Sequence, residues 1–252
     1  MVDQFSRRAG PSSPTVRHSQ EAADRIAEAQ REPDLIEAHV AEHIGPIATV
    51  LHEIVSQSVH LDILRIDPTA KRPFTTLVTM GMSDLPMAVP EPRINQHMRF
   101  AELMLCLPPD WPVDLETLTE ERHFWPYRLL KDLARLPHVY DSWLWLGHSV
   151  PNGKPARPYA AGTALCGAVL LPPTTAPTGF RLLDAGNGKE ISFHAVFPVT
   201  GAEMALKLKD GAEALARRLA KAGATEIVAP GRACVADGSG LGRRLLRLFG
   251  RS

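Results

Sequence analysis

The order in which helix-like and strand-like segments follow one another is the feature that most limits how this chain can fold. Helical and strand patterns come in blocks, without regular strand–helix–strand alternation and without an internal repeat. We therefore expect an α+β fold, a mixed and mainly antiparallel sheet with helices packed on it. The expected helices are Asp34–Ile44, Trp125–Leu136 and a long helix from Thr200 to about Gly223; the expected strands are Val50–Val55, Val59–Ile66, Phe74–Met80, Arg99–Leu107, Trp143–Leu146, Thr163–Leu171 and Ile191–Phe197.

Local signals fix several boundaries of these elements. Thr200-Gly-Ala-Glu203 has the spacing of a capping box, in which each end residue bonds the backbone of the other at a helix N-terminus. Asn187-Gly188 is typical of the tight turn between two antiparallel strands. Pro126 suits the first turn of the helix that we expect from Trp125.

The two ends of the chain differ in composition from the middle. Residues 1–32 are polar and read as a mobile arm, whereas residues 225–252 form a tail rich in Gly and Arg that we expect outside the core. A single domain over residues 33–224 remains. Leu241–Arg251 is amphipathic and could touch an acidic partner, a membrane or nucleic acid, but a helix docked by its Leu face, or a frayed end, is the preferred interpretation.

Charge and cysteine content exclude several classes of protein. The 28 basic residues balance the 28 acidic ones, so nothing favours nucleic acid or an acidic membrane as partner. The sequence has neither the apolar segment of a secretory signal nor a membrane-spanning stretch. The three cysteines, Cys106, Cys166 and Cys234, are far apart and read as buried free thiols, which favours a cytoplasmic location.

Motifs for metals, cofactors or nucleophiles are weak. His39 and His43 are one helical turn apart, but no third ligand is indicated, and two surface histidines are the better interpretation. Gly186–Lys189 lacks the spacing of a phosphate-binding loop, and the glycines of Gly238–Gly242 follow no clear strand. We therefore expect no cofactor and no metal.

Three polar residues stand out as candidates for contact with a partner. Glu102 lies inside an apolar strand, where its carboxylate must either face solvent or be paired with a cation or with backbone donors. A solvated outer face of the sheet is the favoured interpretation, and a polar anchor in a partner groove is the alternative. Asp84 and His148 are similar candidates, each beside a glycine-containing turn.

Several blocks together resemble one known family. Each is weak alone, but they occur in the order of the suppressor of fused family between about Ile47 and Ala222. The blocks are Phe74–Pro86 with Met80-Gly-Met-Ser83, Arg99–Pro108 with Glu102-Leu103, Trp125–Pro137 with Trp125-Pro-Tyr-Arg128, Trp143–His148 with Gly147-His148, Leu170–Pro173, and Ile191–Phe193 with Phe197-Pro198 and Glu203-Met204.

The resemblance implies an α+β domain that binds proteins and has no known catalytic activity. Animal relatives restrain transcription factors of the Hedgehog pathway with the help of a second domain, for which the length after Ala222 is too short. Bacterial relatives are stand-alone domains, and many look like immunity proteins. The leading hypothesis is therefore an immunity-type inhibitor of a toxin or effector protein, as in a toxin–antitoxin pair. A regulatory or scaffold subunit that binds a peptide segment, and an unrecognised enzyme built on Asp84, Glu102 and His148, are the alternatives.

Overall fold

One sheet of eight strands organises the part of the chain that the computed structural model describes, which is residues 32–53, 59–91, 96–114 and 116–236. The strand order is β1-β2-β3-β4-β8-β6-β5, and β7 pairs with β8 outside this path. The strands are β1 (Ile47–Leu51), β2 (Asp62–Ile66), β3 (Thr75–Met80), β4 (Phe100–Leu107), β5 (Ser149–Pro151), β6 (Leu165–Leu171), β7 (Leu182–Gly186) and β8 (Lys189–Thr200).

The sheet is mixed and mainly antiparallel, as the sequence predicts. Only β4 and β8 run parallel to each other, and every other pair of neighbouring strands is antiparallel. In the parallel pair Glu102 lies beside Phe193, and Leu103 lies beside His194. Because successive side chains of a strand point to opposite faces, this register places Glu102 and His194 on opposite sides of the sheet.

Both faces of the sheet are covered by apolar side chains. One face carries Leu103, Leu105 and Val196 and packs against helix α2 (Glu121–Val139). The other face carries Met104 and Phe193 and packs against α1 (residues 32–43) and α4 (Ala212–Lys221). A sheet buried on both faces explains why β4 is an almost continuous apolar run, and why all residues of β3 are buried, its threonines included.

The first helix has the predicted apolar face, but one residue predicted to lie on the surface is buried. Ile36, Val40 and Ile44 are buried against the sheet, as their spacing predicts. His39 is buried too, so the surface interpretation is wrong for this residue. Its Nε2 lies 3.0 Å from the carbonyl oxygen of Phe180, because the same face of the helix is turned towards the aromatic rings of the core.

Helix α2 begins four residues before the predicted start at Trp125. The N–H groups of His123 and Phe124 donate to the carbonyl oxygen of Glu120, so the helix starts ahead of Pro126, which lies inside it rather than in its first turn. The apolar stripe with Leu130 and Leu133 is buried as predicted. The helix ends at Val139, beyond Pro137.

The long C-terminal helix of the prediction is two helices, α3 (Gly201–Asp210) and α4. The capping box of Thr200 and Glu203 is present at the start of α3. Gly211 interrupts the helical path with a φ of 89°, a conformation that glycine adopts without steric cost. The change of direction lets Leu215 and Leu219 enter the core.

The remaining strand predictions are partly correct. The segment Trp143–Leu146 is not a strand; a turn at Leu146 and Gly147 leads instead into the short strand β5, three residues farther along. Asn187 and Gly188 form the expected tight turn, but it joins β8 to β7, a half-exposed strand that lacks a strong apolar pattern. Strand β1 is shifted towards the N-terminus of its predicted range, whose residues 54 and 55 lie outside the described chain, and β2 begins later than Val59.

Packing continues past the expected domain boundary at residue 224. We call residues 225–236 the C-terminal strap. Glu226 of the strap is fully buried, and Arg232 forms an ion pair with buried Glu203 at 2.6 Å. Glu32, the last residue of the arm expected over residues 1–32, belongs to α1; residues 1–31 and the tail beyond residue 236 lie outside the described residues.

Candidate functional site

The carboxylate of Glu102 is buried inside the protein. Its side chain has no exposed surface, so the expectation of a solvated sheet face is wrong. One oxygen accepts from the Thr79 hydroxyl at 2.6 Å. The other accepts from the N–H groups of Gly81 and Ser83, each at 3.0 Å, and from the Ser83 hydroxyl at 2.7 Å. Backbone and hydroxyl donors therefore compensate the buried charge, which was the alternative that the sequence left open.

A tight turn at Gly81 brings these donors to Glu102. Gly81 has a φ of 113°, and a Cβ atom built on it would lie 2.0 Å from the carbonyl oxygen of His60. Only glycine fits there, and it lets the short 3-10 helix Met82–Asp84 fold over the carboxylate. Burial raises the pKa of Glu102 to about 7, although the hydrogen bonds from Thr79, Ser83 and Gly81 oppose this rise.

Lys189 closes the turn from the outside. Its ammonium donates to the carbonyl oxygen of Ser83 at 2.7 Å and forms an ion pair with Glu32 of α1. It also lies 4.3 Å from the centre of the Phe100 ring, within range of a cation–π contact. The lysine is thus tied to the turn and to α1 rather than to the Glu102 carboxylate itself, and the turn is fixed on both sides.

The segment Gly81–Asp84, which we call the Glu102 turn, also contacts the C-terminal end of α2. The carbonyl oxygen of Met82 lies 2.9 Å from Nε2 of His138, and burial lowers the pKa of that histidine while this hydrogen bond opposes the shift. A second hydrogen bond joins the residues that follow the turn to those that follow α2. The N–H of Ala88 donates to the carbonyl oxygen of Ser142 at 3.0 Å. The buried carboxylate therefore contributes to the position of the surface around the end of α2.

The three predicted contact residues are not brought together. Asp84 lies at the end of the Glu102 turn with much of its surface exposed, and the partial shielding of its carboxyl from water, together with the nearby charge of Glu32, raises its pKa. His148 lies on the opposite side of the sheet from Glu102: it lowers the pKa of His194, whose ring projects from the Leu103 face. Burial is the larger cause of that shift, to about 4. The catalytic cluster considered for an enzyme is not assembled.

A groove lies between α2 and β5, which the sequence did not indicate. It encloses about 370 Å³, with one wall from α2 and the other from β5 and the loop that follows it. Its lining is mostly apolar and includes Leu133, Leu136, Val150, Pro151 and Tyr159.

The rim of this groove carries unusually exposed apolar side chains. Tyr140 is 74% exposed and Val139 is 57% exposed, and both border the groove at the end of α2. Exposed aromatic groups beside a concave apolar surface are typical of protein contact sites. Asp132 and Arg135 supply charge on the same helix; burial raises the pKa of Asp132, and Arg135 forms an ion pair with Glu53.

Strand β5 forms one end of the strand order, so its outer edge, beside the groove, pairs with no other strand of the described residues. The strand is three residues long, and its last residue, Pro151, has no N–H to donate. Short edge strands and prolines are common protections against uncontrolled strand pairing. Side-chain contacts in the groove, rather than a long added strand, are therefore what this edge favours.

No group of three or more metal-binding side chains occurs within the described residues, so His39 and His43 have no third ligand there. Across the same residues, no helix has the length and apolar character needed to cross a membrane.

Comparison with known proteins assigns the family. The protein-family model described as "Suppressor of fused protein (SUFU)" matches residues 57–233. The search of curated proteins found no match to the chain. A crystal structure of a SUFU homologue from Neisseria gonorrhoeae is similar, with 14% identity and a TM-score of 0.60, over 82% of this chain and 97% of that one.

Two further structures share the fold. A chain of the Sufu–Fu complex has 13% identity and a TM-score of 0.59, covering 88% of this chain and 98% of that one. Drosophila Suppressor of Fused has 13% identity and a TM-score of 0.55, over 85% of this chain, which spans only 52% of the Drosophila chain. Because the family model covers more than half of the sequence and these structures share its fold, the chain belongs to the suppressor of fused family.

Proposed function

We propose that this chain is a protein-binding module without catalytic activity, and that the α2–β5 groove holds a segment of its partner. The observation that carries the proposal is the exposure of Tyr140 and Val139 at the rim of an apolar groove. An exposed tyrosine gains much on binding, because it buries a large rigid surface while its hydroxyl keeps a polar contact.

The groove suits an apolar side chain of the partner flanked by polar groups. Leu133 and Leu136 provide the apolar floor, and Asp132 and Arg135 offer charge at its side. The exposed edge of β5 lies alongside, so a bound segment can add a backbone hydrogen bond at Ser149 without forming a long strand. His148, directly before β5, stays a candidate contact, and Asp84 stays one beside the C-terminal end of α2.

The partner that we propose is a toxin or effector protein, which this chain inhibits in the cytoplasm as an immunity protein does. The crystallised complex of a relative with the protein Fu supports a protein partner, and the bacterial homologue, 97% of which is covered, supports a domain that stands alone. The inhibitory role itself comes from the resemblance to bacterial members of the family. An inhibitor of this kind should bury roughly 800 Å² of its own surface.

A regulatory or scaffold role would use the same groove and differs only in its effect on the partner. The short open edge of β5 favours this second candidate, because capture of a peptide segment does not itself block an active site. The separation of Glu102 and His148 on opposite faces of the sheet speaks against the enzyme hypothesis in the form considered from the sequence.

Co-purification tests both roles. The tagged chain is expressed in its native host, its partners are identified by mass spectrometry, and the partner is then expressed with and without the chain. Inhibition predicts that the partner alone arrests growth and that the chain restores it. A partner that binds the groove but is harmless in either case supports the scaffold role, and failure to recover any protein on the wild-type chain contradicts the proposal.

A further inference from the structure

Two of the three cysteines approach the same point of the structure from different elements. Cys166 lies on β6 and is 7% exposed, whereas Cys234 lies on the C-terminal strap and is half-buried. They are far apart in sequence, but the strap crosses the end of the sheet where α3 begins. There Arg232 of the strap binds the carboxylate of Glu203 and the carbonyl oxygen of Pro198.

Both sulfur atoms contact the first residues of α3. The Cys234 sulfur lies 3.2 Å from the hydroxyl oxygen of Thr200, the residue that caps this helix. The N–H of the next residue, Gly201, donates to the Cys166 sulfur, and a Cβ built on Gly201 would lie 3.6 Å from that sulfur. The two thiols therefore contact consecutive residues at the same helix end.

The surroundings of Cys166 and Cys234 differ from those of the third cysteine, Cys106. Cys106 is fully buried between Thr76 and Thr175, and burial raises the pKa of its thiol to about 12, which makes it unreactive. Burial raises the pKa of Cys166 as well, but the Gly201 N–H opposes this by stabilising the thiolate. Cys234 is the thiol that small molecules in solution reach first.

We propose that Cys166 and Cys234 form a reversible thiol-modification site, which a small disulfide such as oxidised glutathione converts into an intramolecular disulfide. The Cys234 thiolate attacks one sulfur of oxidised glutathione, which forms a mixed disulfide and releases one glutathione thiolate. The Cys166 thiolate then attacks the Cys234 sulfur and displaces the second glutathione. The two protein thiols lose two protons and two electrons in total, and oxidised glutathione becomes two glutathione thiols.

The disulfide would fasten the strap to β6. The strap otherwise stays in place through noncovalent contacts, such as those of Arg232 with Glu203 and of Glu226 with Thr174 and Thr175. A covalent link removes conformations from the unfolded chain and opposes local opening of the strap. Oxidation is therefore expected to raise the thermal midpoint of unfolding, and reduction by dithiothreitol to restore the original value.

The test uses the full reduced chain with oxidised glutathione at mildly alkaline pH, followed by alkylation of free thiols and peptide mapping without reduction. The expected result is one peptide pair linked through Cys166 and Cys234, with Cys106 alkylated in every sample as internal control. In Cys166→Ser, glutathione should remain on Cys234, and in Cys234→Ser neither remaining cysteine should be modified.

Three results would overturn the site. A wild-type chain that keeps glutathione on Cys234 without forming the linked pair shows that the sulfur atoms cannot meet. A link that involves Cys106, or a chain with all three thiols free, is equally contrary to it. Because the readout is the identity of the linked peptides, it does not depend on whether any partner binds the groove.

Discussion

Nε2 of His138 lies 2.9 Å from the carbonyl oxygen of Met82, and this contact joins the turn over the buried Glu102 carboxylate to the exposed groove. Met82 belongs to the turn that Glu102 holds, and His138 directly precedes the exposed pair Val139 and Tyr140. The turn thus supports the helix end that forms the groove rim. Substitutions in the turn and at the groove rim test the two regions that this contact joins.

Gly81→Ala should destabilise the protein strongly. The new methyl group would meet the His60 carbonyl oxygen at 2.0 Å, and the left-handed φ of 113° adds strain. We expect a loss of about 3 kcal/mol or more in the free energy of unfolding. Gly162→Ala is the matched control, since Gly162 has a φ of 84° and no atom within 4 Å, and it should cost only about 1 kcal/mol. Urea unfolding measures both, and equal losses would show that the contact with His60 is unimportant.

Glu102→Gln should change how stability depends on pH. The pKa of Glu102 is raised from 4.5 to about 7 in the folded protein, so the folded state holds a proton that the unfolded state has released. The stabilisation from this group is therefore fully present below pH 4.5 and is lost as the pH rises through 7.

The free energy of unfolding of the wild type, minus that of Glu102→Gln, should accordingly fall by about 3 kcal/mol between pH 4.5 and 8. Subtracting the free energy of the variant removes the contribution of all other titrating groups, which both proteins share. Denaturant titrations at a series of pH values measure the difference, and a difference that is flat or rises with pH would contradict the burial of an ionisable carboxylate at this position.

Arg232→Ala should show that the C-terminal strap belongs to the core. Arg232 donates two hydrogen bonds of 2.6 Å to fully buried Glu203, so its removal leaves a buried charge without its cation and should cost about 3–5 kcal/mol. Arg217→Ala removes the exposed ion pair with Glu213 and should change stability by about 0.5 kcal/mol or less.

The pKa of Glu203 is lowered despite its burial, because Arg232 and the N–H groups of Thr200 and Val235 stabilise its charge. The stability that this carboxylate supplies is present above its unfolded pKa of 4.5 and is lost as the pH falls. The two arginine variants should therefore differ most near neutral pH and converge in acid. If Arg232→Ala unfolds at the same urea concentration as Arg217→Ala at neutral pH, the strap contributes nothing to the fold.

Local sequence patterns were sufficient to predict most strands of the sheet and the helix cap at Thr200. The β-branched residues of β3, the apolar run of β4, the Asn187-Gly188 turn and the Thr200–Glu203 box depend on neighbours within a few residues. Their sequence therefore predicts them within a residue or two. The same patterns misplaced β5, because a three-residue edge strand has too few side chains to show alternation.

The sites depend on contacts between distant residues, which no local pattern reports. The donors to Glu102 precede it by 19 to 23 residues, so the sequence could state only that the carboxylate needs a partner. The groove depends on the position of β5 beside α2, which follows from the order of the strands. The exposure of Tyr140, four residues past the predicted helix end at Leu136, is known only from the structure.

The affinity of a recovered partner for three versions of the chain tests the binding proposal most directly. Tyr140→Ala removes the exposed ring at the groove rim, and Leu208→Ala is the matched control, because Leu208 is 76% exposed but lies on α3. Titration calorimetry should show that Tyr140→Ala raises the dissociation constant about tenfold or more, whereas Leu208→Ala leaves it within about twofold of the wild type. Equal affinities of the wild type and Tyr140→Ala would contradict the assignment of the α2–β5 groove as the binding site.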